Sequence, residues 1–233
     1  MLPCGKLIET QALQGHTDRV WNISWSPDGA TMASCGGDKT VRIWRKDASL
    51  KWFCSAILEE YHQRTVRCTS WHRSGTLLAV ASFDGTTTVW SVKDDEWECV
   101  STLEGHENEV KCVAWNPVHD YLATCGRDKT VWIWEMQEAF EFECVSVLNG
   151  HTQDVKSVAW HPSGDMLVSA SYDDTVKLWM EDPDEDDWHC VKTLSGEGQG
   201  HTSTVWGVTL NPSGQKLASC SDDRSVIVWE RAE

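Results

Sequence analysis

Apolar residues recur along this chain as Val-x-x-Ile-x-Trp and close variants, without helical spacing. The first instance is Val20, Ile23 and Trp25; the others are Val66/Thr69/Trp71, Val110/Val113/Trp115, Val155/Val158/Trp160 and Val205/Val208/Leu210. Each predicts a short strand. A turn follows, as in Pro27-Asp28-Gly29, Pro162-Ser163-Gly164 and Pro212-Ser213-Gly214, where proline presets one φ and glycine supplies a positive one. The third repeat has His119 in the glycine slot. A second strand comes next: Met32-Ala33-Ser34, Leu78-Ala79-Val80, Leu122-Ala123-Thr124, Leu167-Val168-Ser169 and Leu217-Ala218-Ser219. A third strand ends on Trp44, Trp90, Trp134, Trp179 or Trp229. A fourth carries aromatic-x-Cys: Trp97-Glu98-Cys99, Phe142-Glu143-Cys144, Trp188-His189-Cys190 and, alongside them, Trp52-Phe53-Cys54. Ahead of the first repeat, Leu7 to Leu13 reads as one spare strand.

The pattern keeps register. Each anchor Trp lies 28 positions after a His (44−16, 90−62, 134−106, 179−151, 229−201), and each unit has an Asp 22 positions after that His (38−16, 84−62, 128−106, 173−151, 223−201). The His-to-His steps are 46, 44, 45 and 50, so one loop per unit is elastic. Such spacing is the signature of the WD40 repeat. Four short strands per unit with turns between them predict an all-β chain, a β-propeller of five four-stranded blades. The repeats run approximately over 14–54, 60–99, 104–144, 149–190 and 199–233, and we read 1–233 as one domain. The chain ends just after a third strand, so the spare N-terminal strand is expected to complete the last blade.

His, Ser or Thr, and Asp together have the composition of a hydrolase triad. The sets are His16/Ser34/Asp38, His106/Thr124/Asp128, His151/Ser169/Asp173 and His201/Ser219/Asp223. A triad needs one accessible nucleophile beside an oxyanion hole. Here the set recurs in four repeats, each time with its anchor Trp (Trp44, Trp134, Trp179, Trp229), so it reads as a structural network and not as catalysis. In that network Asp accepts from His, His meets the hydroxyl, and the hydroxyl accepts the Trp N–H. The second repeat has His62, Asp84 and Trp90 but Val80 where the hydroxyl belongs, and Tyr61 in place of Gly. Its network is expected to be incomplete and its blade less well pinned.

The formal charge is −16, with 36 acidic against 20 basic residues. Phosphate backbones are bound by Lys and Arg, so this balance argues against nucleic acid. The N-terminus lacks a signal-peptide apolar core, and no apolar run approaches a bilayer span. No small-molecule substrate, cofactor or metal is called for, and no membrane partner. The Asn22-Ile23-Ser24 sequon falls on a strand and is set aside. Of the ten cysteines, most repeat in register: Cys54, Cys99, Cys144 and Cys190 at one position, Cys35, Cys125 and Cys220 at another, Cys68 and Cys112 at a third. There is no Cys-x-x-Cys, so they read as small buried hydrophobes.

The whole chain resembles the WD40 family, and more narrowly its scaffold subunit of the cytosolic iron–sulfur protein assembly (CIA) machinery. The narrower match rests on His62-Gln-Arg-Thr-Val-Arg67, Leu103-Glu-Gly-His-Glu-Asn-Glu-Val-Lys111, Cys144-Val-Ser-Val-Leu148, His151-Thr-Gln-Asp-Val-Lys156, Ser169 to Leu178, and Leu217-Ala-Ser-Cys-Ser-Asp-Asp-Arg224. It implies a non-catalytic scaffold that helps deliver iron–sulfur clusters to apo-proteins of cytosol and nucleus; it does not imply that this chain holds the cluster. Its partners would be the other subunits of the targeting complex and apo client proteins. The family is seven-bladed, and five repeats here suggest a shortened form. Where the family can carry Leu-Tyr-Arg, a tripeptide that recruits a cochaperone, this chain reads Leu178-Trp179-Met180. A substrate-receptor or adaptor propeller of a ubiquitin ligase or signalling complex is the alternative that the architecture leaves open.

In a propeller the loops before strand one and after strand two share a face. That face should carry Arg64, Arg67, Phe83, Lys111, Arg127, Lys156, Tyr172 and Trp206, together with Arg19 and Trp21. Cations and aromatics are enriched at interface hot spots, so this is the expected partner-binding face. Glu109 and Asp154 lie close enough in sequence to balance some of these cations. The loops after the anchor Trp are acidic (Asp94 to Glu96, Glu138 to Glu143, Glu181 to Asp187) and read as solvated.

Overall fold

The computed structural model describes residues 8–182, 187–195 and 200–230. The start of the spare strand at Leu7, part of the third acidic run and most of the Ser195 to Gly200 insertion lie outside them. Nineteen strands form five antiparallel sheets. The first sheet holds β1 (Val20–Trp25), β2 (Met32–Gly36), β3 (Val41–Lys46) and β4 (Trp52–Leu58); the second β5 (Val66–Trp71), β6 (Leu77–Ser82), β7 (Thr87–Lys93) and β8 (Glu96–Leu103). The third has β9 (Val110–Trp115), β10 (Tyr121–Gly126), β11 (Val131–Met136) and β12 (Phe142–Leu148), with a 3-10 turn at Glu138–Phe140 before β12. The fourth has β13 (Val155–Trp160), β14 (Met166–Ser171), β15 (Val176–Asp182) and β16 (Asp187–Leu194), and the fifth β17 (Val205–Leu210), β18 (Lys216–Ser221) and β19 (Val226–Glu230). Each sheet is a blade with its strands in chain order, and the molecule is a five-bladed propeller.

The core is made between blades. Ala33, Cys35, Val41 and Ile43 of the first blade meet Val66, Trp71, Leu78 and Val80 of the second. The same positions recur between blades two and three, where Ala79 and Val89 meet Val110, Val113 and Trp115. Between three and four, Val131 and Ile133 meet Val155, Val158 and Trp160. Val168 and Val176 meet Val205 and Leu217 at the last junction. A blade alone would leave one of these faces wet, which is why the repeat must stack.

The first-strand Trp also explains the aromatic of strand four. Trp71 meets Trp97 edge-on at 5.8 Å, Trp160 meets Trp188 at 5.5 Å, and Trp25 meets Trp52 at 5.4 Å, with Trp115 and Phe142 tilted at 5.9 Å. Edge-to-face pairs at these separations are favourable beyond their burial. The Trp71 indole reaches back to the Ser24 carbonyl at 3.3 Å, and that of Trp160 to the Ala114 carbonyl at 2.9 Å, so each tethers its blade to the one before.

The cysteine two residues on has a different reason from the one expected. Cys54, Cys99, Cys144 and Cys190 each pair with the anchor Trp, and directly after each one residue of strand four is left out of the ladder: Ser55, Val100, Val145 and Val191. The thiol donates to the carbonyl two residues on, at 3.3 to 3.7 Å, and so ties the bulge. These cysteines sit on outer strands, and Cys144 and Cys190 are exposed, as is Cys220 in the last blade. Cys35, Cys68 and Cys125 are the buried ones, and burial pushes the Cys35 thiol up to about 12.

The expected closure by the N-terminal strand is corrected. Residues 8–13 form no strand, and Gln11 instead brackets the backbone of Trp52, accepting from its N–H at 2.9 Å and donating to its carbonyl. The fifth sheet has three strands among the described residues. Among the described residues, Gln11 therefore ties this stretch to the start of β4, in its own blade.

Packing between blades predicts a contrast. Trp160→Ala should cost about 3–5 kcal/mol, because the ring is buried at a junction. Trp25→Ala should cost under about 1 kcal/mol, because Trp25 is half exposed. Urea denaturation of the two variants measures this, and equal losses would contradict the junction assignment.

Candidate functional site

The repeated polar set sits at the start of each first strand. His Nδ1 lies 2.6 to 3.0 Å from the Asp Oδ2 in all five blades (His16–Asp38, His62–Asp84, His106–Asp128, His151–Asp173, His201–Asp223). In four blades His Nε2 meets Ser34, Thr124, Ser169 or Ser219 at 2.7 to 2.8 Å. The same hydroxyl accepts the indole N–H of Trp44, Trp134, Trp179 or Trp229 at 2.8 to 3.0 Å. An indole N–H only donates and an ionised carboxylate only accepts. The chain of bonds therefore runs one way: Trp to hydroxyl, hydroxyl to His Nε2, His Nδ1–H to Asp.

Each Asp carries more than the His. It accepts the backbone N–H of the residue after the His at 2.9 to 3.2 Å, as at Thr17, Gln63 and Thr152. Its other oxygen accepts the hydroxyl two residues further on, from Thr40, Thr86, Thr130, Thr175 or Ser225, at 2.6 to 3.0 Å. Those five hydroxyls escaped the sequence reading, although they share one register position. Burial pushes the Asp84 and Asp173 carboxyls up, but the bonds from His and Thr outweigh it and hold both well below the usual range.

The second blade corrects an expectation. Its network is complete, because Thr88 supplies the hydroxyl: 3.0 Å from His62 Nε2 and 2.9 Å from the Trp90 indole nitrogen. Val80 and Thr88 face each other directly across the β6–β7 ladder, so the two strands have exchanged apolar and hydroxyl side chains at one pair. The equivalent partners elsewhere are Arg42, Trp132, Lys177 and Ile227. Tyr61, in the glycine slot, packs edge-on against Trp90 at 4.9 Å. All five hydroxyls are buried and occupied on both sides, so these sets are structural pins and no hydroxyl is free to attack.

The partner-face residues are placed by a second device. In every blade one residue of the first strand drops out of the ladder: Trp21, Arg67, Lys111, Lys156 and Trp206. A bulge re-aims its side chain and is common beside functional sites. All five lie five positions after the repeat His (21−16, 67−62, 111−106, 156−151, 206−201). A second set follows strand two, with Phe83, Arg127 and Tyr172 in blades two to four. The sets interlock. Lys111 lies 5.4 Å from the Phe83 ring, Lys156 at 5.0 Å from Tyr172 and 5.1 Å from Trp206, and Arg67 at 5.2 Å from Trp21. Arg64 sits 6.0 Å from the Phe83 ring.

Two carboxylates knit the centre. Glu109 pairs with Arg64 at 2.6 Å, Lys111 at 3.4 Å and Arg127 at 3.6 Å; Asp154 pairs with Lys111 at 3.2 Å and Lys156 at 3.3 Å. For both acids burial pushes the carboxyl up, while the cations outweigh it and hold them low. Burial and the neighbouring Lys111 pull Lys156 down, against the pull of Asp154. Between them lies a depression of about 200 Å³ lined by Glu109, Lys111, Arg127, Gln153, Asp154, Lys156 and Tyr172. Arg127 is half exposed, and among the described residues its side chain is held by its long contact to Glu109. Arg19 is exposed. The outward carboxylates of the opposite loops stay on the other side, with Asp95 paired to Arg45. No group of three or more His, Cys, Asp or Glu is placed to hold a metal ion among the described residues.

Blades pinned by His, Asp, hydroxyl and Trp, and presenting a ring of bulged side chains, define a WD40 propeller. The chain belongs to this family: the WD domain, G-beta repeat, matches residues 5–45, 52–91, 97–135, 142–180 and 188–230. More particularly, it is similar to Protein CIA1 of Arabidopsis thaliana, 54% identical over 108 residues, which are 43% of this chain and 31% of that protein. The probable cytosolic iron-sulfur protein assembly protein CIAO1 homolog of Chlamydomonas reinhardtii is 59% identical over 97 residues, 40% of this chain and 28% of that one. Its counterpart Ciao1 from Culex quinquefasciatus is 49% identical over 100 residues, 43% of this chain and 30% of that one. The matched stretch thus spans under a third of the length of these relatives.

Two outcomes test the pins. Thr88→Val leaves the Trp90 N–H and His62 Nε2 unpaired and should cost on the order of 2–3 kcal/mol. The double variant Val80→Ser/Thr88→Val returns the hydroxyl to its usual strand and should recover most of that loss in urea melts. Asp84→Ala and Asp128→Ala should now cost alike, since both networks are complete. The second outcome concerns pH. The folded carboxyls of Asp84, Asp128 and Asp173 lie below their ordinary value, which is about 3.9 in the unfolded chain. Their stabilisation is full above that value and is lost as pH falls through the folded values. Urea midpoints should hold down to about pH 5 and drop steeply below about pH 4; a midpoint unchanged at pH 3 would contradict it.

Proposed function

We propose that this chain is a non-catalytic interaction scaffold of the cytosolic iron–sulfur protein assembly machinery. It would help deliver clusters to apo-proteins of the cytosol and nucleus, working mainly in the cytoplasm. Its partners would be the other subunits of the targeting complex and the apo clients, with the cluster as cargo and not as a resident group. The observation that carries this reading is the identity of 49 to 59% to proteins named for cytosolic iron–sulfur assembly. The cation–aromatic ring supports it as the surface a partner would use. Arg and aromatic side chains supply strong contacts at little entropic cost.

On this reading the ring docks an acidic or aromatic-bearing segment of a partner. Arg127 is its most available cation: it binds a carboxylate bidentately or stacks on a ring once it leaves Glu109. Its contact to Glu109 is long, at 3.6 Å, and is readily given up.

Affinity capture from cytosol tests the assignment. Recovery of other iron–sulfur assembly subunits is expected, and recovery of ubiquitin-ligase adaptors alone would refute it. Arg127→Glu should leave the melting temperature nearly unchanged and weaken capture at least tenfold, about 1.4 kcal/mol. Undiminished capture at physiological salt would make the ring a solvated surface only.

A further inference from the structure

On the face away from the ring, blades three and four leave a cavity of about 380 Å³ between them, a size typical of ligand clefts. Tyr121 and Trp188 wall it, and His119, Asp165, Met180 and Glu181 line the rest. Two turns fix its shape. The Asn116 amide donates to the Gly164 carbonyl at 2.7 Å. Gly164 has φ 87°, and a Cβ there would lie 2.9 Å from that of Val118, so only glycine lets the turns approach this closely. The aromatic wall is built from both blades: Tyr121 meets Trp188 edge-on at 6.5 Å and stacks with Trp160 at 6.5 Å.

The first blade shows what such a wall accepts. There Lys46 faces Trp52 across β3 and β4, and its ammonium sits 5.1 Å from the ring centre. The equivalent pairs are Val92–Trp97, Met136–Phe142 and Glu181–Trp188. The fourth blade thus sets a carboxylate where the first sets a cation. Glu181 is exposed, and no ion pair or hydrogen bond engages its carboxylate among the described residues. Asp165 accepts from the Ser163 hydroxyl and lies 3.8 Å from His161. Arg73, which reaches the His119 carbonyl at 3.0 Å, is already paired with Asp120 at 2.7 Å. Trp188 is 6% exposed, and its indole N–H has no hydrogen-bond partner among the described residues.

We propose that this cavity receives a lysine side chain from an extended segment of a protein partner. The ammonium lies over the Trp188 ring and beside Glu181, in the place that Lys46 takes over Trp52. Its aliphatic stem follows Tyr121 and Met180. A main-chain carbonyl of the segment accepts the Trp188 N–H, which a free amine does not do. The net charge of −16 draws a basic segment towards the site. The ring on the other face suits an occupant of opposite charge, so the two sites can be filled at once by different segments.

Nuclear magnetic resonance of the whole chain tests this, with the end-capped peptide Gly-Gly-Lys-Gly-Gly as probe. The Trp188 indole N–H signal is identified by its loss in Trp188→Phe, which places there the residue type of Phe142. The peptide should move that signal saturably, and the same peptide with acetyl-lysine should leave it in place. Glu181→Lys supplies the cation from within, as in the first blade; it should keep the parent's melting curve and weaken the peptide at least tenfold. Should that variant unfold, Glu181→Gln replaces it and should weaken the peptide at least fivefold. A lysine peptide that leaves the Trp188 signal still overturns the proposal, as does one that binds the Glu181 variant as well as the parent. Spermine moving the signal at lower concentrations than the peptide overturns the assignment to a protein segment.

Discussion

The structure depends on what one buried aspartate can hold. In each blade the Asp carboxylate gathers the His ring, the backbone entering strand one, and the hydroxyl leaving the turn between strands two and three. It thus fixes three segments that are distant in sequence to a single point. The bond chain beyond it passes through His and hydroxyl to the anchor Trp, and the chain has a direction because its ends can only accept and only donate. Polar groups buried in this way are favourable only when every member is satisfied. The exchange at Val80 and Thr88 shows how strict the requirement is: the hydroxyl changes strand, but the oxygen stays between His62 and Trp90.

The pin also sets up the ring of bulged side chains. It anchors the chain just before strand one, and the bulge follows a few residues later in every blade. Because bulge and pin keep the same spacing, the bulged side chains form one ring whatever their chemistry. Trp at both ends and cations in between leave the geometry untouched and change only what the ring would bind. Glu109 and Asp154 restrain the lysines by ion pairs that hold them against aromatic faces. The cost of ordering those side chains is thus met within the chain itself.

The parts legible in the sequence were those that keep register. His, Asp and anchor Trp gave the repeat, the strands and the tetrads. Strand pairing was not legible, and the surprises came from it. Thr88 is silent in sequence because the substitute hydroxyl lies on the facing strand, at a position filled elsewhere by Arg42, Trp132, Lys177 and Ile227. The bulges are equally silent: Trp21, Arg67 and Lys111 share a column but no chemistry. The cysteines misled in the opposite way, since a shared column suggested burial where the shared property was a bulge tied by a thiol. The N-terminal run has no repeat partner to fix its register: residues 8–13 form no strand, and Gln11 bonds the start of β4.

A stack of repeats distributes stability by neighbours, because each blade is held by its own pins and by the junctions on either side. Blades two to four have two junctions each, and the terminal blades have one. Glu109, Asp154, Arg127, Lys111, Lys156, Phe83 and Tyr172 all belong to those middle blades. The blades with a neighbour on both sides therefore carry the densest charge and aromatic cluster, and the first and fifth blades contribute Trp21 and Trp206 to its edges. Fraying at either end would remove an edge ring from Arg67 or Lys156 and leave the Glu109–Asp154 centre intact.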